Sequence, residues 1–142
     1  MLRPAVPGDG PDVAALLDEL GYPCTPAEAA ERIATLAGEP DQVLLVADIE
    51  GIARGLLALH FLYSLTLGSD TCRITALIVA AGYRGHGLGR ALLREAERLA
   101  RRDGAVRIEV TTARGRVEGN EAYRAAGFEE TGLRFVKRLG EA

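Results

Sequence analysis

Val79-Ala80-Ala81-Gly82-Tyr83-Arg84-Gly85-His86-Gly87-Leu88-Gly89 is the stretch on which the reading of this chain turns. It follows a β-compatible run, residues 71–79, nearly all apolar after Ile74 and so read as a strand buried on both faces. Beyond it Leu88, Ala91, Leu92, Ala96 and Leu99 recur at helical spacing until Asp103-Gly104 ends the pattern. A strand that passes through glycines straight into a helix aims several unpartnered backbone N–H groups at one point, backed by the positive helix end. Such a turn holds an anion, and the missing side chains let a diphosphate approach the backbone closely.

The spacing narrows the carrier of that anion. A P-loop needs Gly-Lys-Ser/Thr, and the only lysine of the chain is Lys137, which excludes a Walker site. A dinucleotide fingerprint reads G-x-G-x-x-G, whereas Gly85, Gly87 and Gly89 put the third glycine one place early. Glu109 does lie roughly where a ribose-binding acid would, but only one βαβ unit is present and it comes late in the chain. The pattern that fits is R-x-x-G-x-G, carried by Arg84, Gly87 and Gly89.

Working outward, Val13, Leu16, Leu17 and Leu20 give a first helix over residues 12–20, stopped by Gly21. Thr25-Pro26-Ala27-Glu28 supplies an N-cap, a proline at the first helical position and a capping-box acid, so a second helix runs from there to about Gly38. Residues 43–49 and 52–63 are strands joined by Glu50-Gly51, an antiparallel hairpin. A strand over 106–112, a short helix over 117–126 closed by Gly127, and a last strand over 133–139 complete the order. The strand–helix–strand succession around the glycine turn favours parallel neighbours with a right-handed crossover. The expectation is a mixed α/β sheet in a single domain, residues 1–142.

Composition sets the outer bounds. The 142 residues include 17 Lys+Arg against 20 Asp+Glu, a net charge of -3, which disfavours general binding to nucleic acid. Cys24 and Cys72 lie far apart without metal-ligand spacing, so neither zinc nor a disulfide framework is expected. No long apolar run and no export signal stand out, and the expected setting is cytoplasmic, away from membranes. The 17 glycines in a chain with no tryptophan call for a positional explanation.

Three features together resemble one family. R-x-x-G-x-G sits between a strand that ends Leu77-Ile78-Val79 and a helix. Two helices and a three-strand antiparallel run precede it, and Tyr123-Arg124-Ala125-Ala126-Gly127-Phe128 follows as Y-x-x-x-G-F. Over nearly its whole length the chain is similar to the GNAT N-acetyltransferases. The resemblance implies a largely antiparallel sheet with a central parallel βαβ pair splayed to admit CoA. It implies acetyl-CoA as co-substrate, with no metal, and direct attack of an amine on the thioester in a ternary complex. A small-molecule primary amine is the expected acceptor; a protein N-terminus or lysine, or a CoA-binding sensor without turnover, stay open. The oligomeric state is expected to be a monomer or a homodimer.

The resemblance also assigns residues. Backbone amides of Gly85, His86, Gly87, Leu88 and Gly89, with Arg90, are expected to hold the pyrophosphate, and Arg84 to fix the loop or its ligand. Leu77 and Val79 would pair through their backbone with the pantetheine arm, and Asn120, on the face of Tyr123, would reach the same arm. Tyr123 occupies the family's position for the general acid that protonates the leaving thiolate; its competing reading is a core tyrosine on an amphipathic helix. The base is less defined. Arg73, Ile74, Thr75 and Ala76 stand where some relatives place a Glu. His60 and Glu109 are the candidate bases, each also readable as a packing histidine and an outward strand charge. Departures from the family pattern are Ala81 where proline is common, Ala122 for a bulky residue, and Arg116 where Asn is frequent.

Overall fold

A computed structural model of the chain describes residues 1–112 and 117–140, without the side chains of residues 117 and 118. It forms two compact units, Met1–Thr111 and a second beginning at Thr112. The first holds a five-stranded sheet in the order β1 (Leu2–Pro4), β2 (Gln42–Ile49), β3 (Ile52–Ser64), β4 (Ser69–Val79) and β5 (Arg107–Val110). Its helices are α1 (Gly10–Leu20), α2 (Pro26–Ala37) and α3 (Leu88–Asp103). Neighbouring strands are antiparallel except β4 and β5, which α3 joins as a parallel pair.

The local signals account for most of these bounds. The Thr25 hydroxyl accepts from the Glu28 N–H while the Glu28 carboxylate accepts from the Thr25 N–H, a closed capping box at the start of α2. Gly21 and Gly104 end α1 and α3 in the left-handed conformation. Glu50 (φ 54°) and Gly51 (φ 85°) form the two-residue turn between β2 and β3, with positive φ at both places as a tight hairpin requires.

Helices cover both faces of the sheet. On one, Val13, Ala14 and Leu16 of α1 and Ala29 and Ile33 of α2 are buried against Val46, Ala53, Leu56 and Ile78. On the other, α3 buries Leu92, Leu93, Ala96 and Ala100. It seats there closely, because a Cβ on Gly55 of β3 would come within 3.2 Å of Leu92 Cδ1 and 3.5 Å of Leu88 Cδ2. Glycine at 55 therefore lets the first turn of α3 lie on the sheet.

Two expectations need revision. A first strand, β1, precedes the helices; three residues are too few to show a period, and it is held by Arg3, whose guanidinium donates to Asp9 and Asp48. The expected strand over residues 133–139 does not form among the described residues, and Leu133, Phe135, Val136 and Leu139 are exposed. The alternation of that segment breaks at Val136, and a strand exists only through its ladder hydrogen bonds. The parallel pair consequently closes the described sheet at its β5 edge. Among the described residues no helix is long and apolar enough to cross a membrane.

The second unit contains α4 (Val117–Ala125). Gly127, at φ 95°, lets the chain turn sharply after it, and the Phe128 N–H donates to the Tyr123 carbonyl. The Phe128 ring then meets Tyr123 edge to face, with centroids 5.5 Å apart. Arg116 lies outside the described residues.

Candidate active site

β4 is longer than its parallel partner. Ladder pairing with β5 runs from Thr71↔Arg107 to Ile74↔Val110 and stops, while β4 continues to Val79. Among the described residues, 75–79 therefore pair with β3 on one side and with no strand on the other, an open edge that begins where β5 ends at Val110.

Register decides which backbone groups face that edge. The Ala80 N–H donates to the Arg54 carbonyl at 2.8 Å, so 80 and 54 form a hydrogen-bonded pair. In an antiparallel ladder such pairs alternate with non-bonded ones. Gly55↔Val79 and Leu57↔Leu77 are then the non-bonded pairs, and the N–H and C=O groups of Leu77 and Val79 point toward the open edge. A register shift between Ala58 and Leu59 leaves Thr75 as an extra, exposed residue where the two strands part.

At the end of this edge a 3₁₀ turn (Ala81–Tyr83) leads into the glycine loop. Gly85 (φ 80°) and Gly87 (φ 81°) are left-handed, and Gly87 is the N-cap residue of α3. Its carbonyl accepts from the Ala91 N–H at 3.0 Å, which closes the first helical turn and leaves the amides of Leu88, Gly89 and Arg90 without intrahelical acceptors. The sixteen-residue α3 backs those amides with its dipole. Gly85, His86, Gly87 and Arg90 are exposed, and Leu88 and Gly89 half-buried. The loop thus presents donors to solvent in the form an anion needs.

Arg84 acts within the protein. Its Nε donates to the Val79 carbonyl at 2.9 Å, and its terminal nitrogen pairs with Glu19 at 3.3 Å. The same Glu19 oxygen accepts the Ala81 N–H at 2.9 Å. A carboxylate from the last turn of α1 therefore braces both ends of the 3₁₀ turn, and Arg84 fixes the loop. Nothing in the sequence marks Glu19, which lies 62 residues from one partner and 65 from the other. Arg54 is a second unforeseen neighbour: its guanidinium carbon lies 4.8 Å over the Tyr83 ring.

His60 and Glu109 share one sheet row, with Gln42↔His60, His60↔Arg73 and Arg73↔Glu109 directly opposite one another across four strands. Directly opposite residues project on the same face, here the face carrying Leu56 and Ile78 and covered elsewhere by α1 and α2. The Arg73 guanidinium meets Glu109 at 2.7 Å and that of Arg107 at 3.5 Å, so both carboxylate oxygens are engaged. The row lies six residues from Val79 along β4, roughly 20 Å, and next to the Thr75 bulge.

Tyr123 and Asn120 sit in the second unit. Tyr123 is half-buried, and Asn120 accepts from the Thr112 hydroxyl. Cys72 is buried on the α3 side, and burial, with Asp103 adding to it, pushes its thiol up to about 11, out of the range of a nucleophilic thiolate.

The chain resembles known proteins in sequence and in fold. An aminoalkylphosphonate N-acetyltransferase of Salmonella typhimurium is 32% identical over 85 residues, 60% of this chain, and the chain spans about half (55%) of that relative's length. Among solved structures, a transcriptional regulator from Bacillus halodurans superposes with a TM-score of 0.87 at 23% identity, covering 96% of this chain and 99% of that one. Glucosamine-6-phosphate N-acetyltransferase from Arabidopsis thaliana does so with a TM-score of 0.83 at 17% identity, covering 99% and 98%. At these identities the two structures speak to the fold alone. The profile of the Acetyltransferase (GNAT) family matches residues 12–128, from α1 through the Tyr123–Phe128 turn, and the chain belongs to that family.

Proposed function

We propose that the chain, acting as one catalytic unit over residues 1–142, transfers the acetyl group of acetyl-CoA to the primary amine of a small molecule by direct attack in a ternary complex. The observation that carries this reading is the open edge of β4 running into an amide-lined turn at the start of α3. That edge and that turn match the two halves of the co-substrate. The amides of Gly85 through Arg90 suit a pyrophosphate, and the outward N–H and C=O of Leu77 with the outward N–H of Val79, whose carbonyl accepts from Arg84, suit the amides of a pantetheine arm. An arm laid along the edge brings its thioester toward the Thr75 bulge. The Salmonella relative, named for a small-molecule amine, supports the acceptor class.

The chemistry follows from charge and proton balance. An ammonium of pKa about 10 has no lone pair, so the acceptor must lose a proton before it attacks. Both carboxylate oxygens of Glu109 are engaged by guanidiniums; His60, in the same row, is the better candidate base. Attack on the thioester carbonyl gives a tetrahedral oxyanion, which an N–H on the open edge stabilises. Collapse breaks the C–S bond, and the thiolate takes its proton from the Tyr123 phenol.

The test is thiol release from acetyl-CoA with a panel of small amines, beside calorimetry with CoA. Turnover with a small amine supports the proposal. CoA binding with no turnover on any amine, peptide N-terminus or lysine would make the chain a sensor, and turnover on peptides alone would move the acceptor to protein.

A further inference from the structure

We propose that the acceptor carries an anionic group beside its amine, held by Arg73 and Arg107 on the sheet row that also carries Thr71 and Glu109. This rests on the acetyltransferase reading above and adds the chemical class of the acceptor. Thr71, Arg73, Arg107 and Glu109 share one face, because Thr71↔Arg107 and Arg73↔Glu109 are directly opposite pairs and alternate residues of a strand point the same way. His60 joins them from β3. The α1–α2 layer packs further along this face, over Leu56 and Ile78, and the guanidiniums of Arg73 and Arg107 remain about half exposed.

Two cations converge there on one carboxylate. Arg73 donates through Nε and one terminal nitrogen to Glu109 Oε1, and Arg107 reaches Oε2 through one terminal nitrogen. Each guanidinium offers five N–H donors, so donors remain on both after Glu109 is satisfied. The local charge of these three residues is +1, in a chain whose net charge is -3. A second observation points to a missing acceptor. Thr71, directly opposite Arg107 and two residues before Arg73, is only 4% exposed, and its Oγ1 has no hydrogen-bond partner among the described residues. Buried hydroxyls are normally paired. An anion docked between Arg73 and Arg107 would bring oxygen acceptors next to it.

Position then relates this anion to the reaction. Arg73 and Thr75 are two residues apart on β4, roughly 7 Å, and Thr75 is where the strands part. That span suits an amine a few bonds from a phosphonate, phosphate or carboxylate: the anion sits on the arginines while the amine meets the thioester. The net charge of -3 does not set the acceptor's charge; the position of the arginines does.

The experiment compares an aminoalkylphosphonate, an amino acid and a plain alkylamine of matched length, with the native chain and with Arg73→Gln and Arg107→Gln. Expected is a kcat/KM at least about tenfold higher for an anionic acceptor than for the alkylamine, lost in either variant, with the acetyl-CoA KM unchanged. The phosphonate and carboxylate arms identify the anion. Inorganic phosphate should compete with the acceptor, whether or not it also competes with acetyl-CoA at the glycine loop. Equal turnover of the alkylamine, or phosphate competition against acetyl-CoA only, overturns the proposal and leaves the acetyltransferase reading standing. If no amine is consumed, that reading fails, and phosphate calorimetry decides the anion site: weaker binding in Arg73→Gln upholds it, and equal binding removes it.

Discussion

Removing the Glu19 carboxylate isolates what the brace on the glycine loop contributes. In Glu19→Ala the Ala81 N–H loses its acceptor at 2.9 Å and Arg84 loses its partner at 3.3 Å. A hydrogen bond to a charged group contributes about 1.5–3 kcal/mol when shielded, and an exposed ion pair about 0–1 kcal/mol. The Glu19 side chain is 32% exposed and that of Arg84 46%, so solvent screens both contacts. A combined loss of about 1–2 kcal/mol follows. If that free energy orders the loop for CoA, the dissociation constant rises by about five- to thirtyfold, since 1.4 kcal/mol is a factor of ten. The loss should appear in the acetyl-CoA KM and in calorimetry with CoA, while kcat at saturation changes little because the brace does not touch the reacting atoms. Glu19→Gln keeps an oxygen that can accept both donors and should recover most of the affinity. Unchanged CoA affinity in Glu19→Ala, with only a lower melting temperature, would refute the reasoning and leave Glu19 a structural residue.

Tyr123→Phe should lower kcat by at least about tenfold, the conservative end of general-acid effects, with CoA affinity nearly intact; unchanged turnover removes Tyr123 as the acid. Gly87→Ala forces a Cβ into a left-handed N-cap at φ 81°, and about 1–2 kcal/mol of stability should be lost together with CoA affinity, read by denaturant melts and calorimetry. At the N-terminus, hydrogen bonds from the Arg3 guanidinium, aided by the Val6 N–H, hold the Asp9 carboxyl below the usual carboxylate range. Its folded pKa is depressed, so its contribution to stability is full above the unfolded value of about 4 and is lost as the pH falls through the folded value. Denaturant melts should show an acid-side loss of stability that Asp9→Asn removes while lowering stability at neutral pH; an unaltered pH profile would exclude the pair as its source.

The chain carries in its own order the strand, glycine turn and helix around Gly87, the capping box at Thr25, the hairpin at Glu50-Gly51 and the Tyr123–Phe128 turn. All are local: caps, turns and periods act over a few residues, so their signals stand next to each other along the chain. The positional question raised by the glycines is answered the same way at Gly87, whose φ a side chain would strain. What only tertiary structure decided lies far apart in sequence. Glu19 meets the loop across more than 60 residues, and Arg3 pins a three-residue strand to Asp48. Glu109, as a residue type, reads as a base; paired with Arg73 and Arg107 by the β4–β5 register, it becomes the hub of a cationic row. The expected last strand over residues 133–139 does not form among the described residues, because its alternation breaks at Val136 and a strand exists only through its ladder hydrogen bonds. Helix caps and turns are written where they act, whereas a side chain's partner across the sheet follows from register, which forms only when the strands meet.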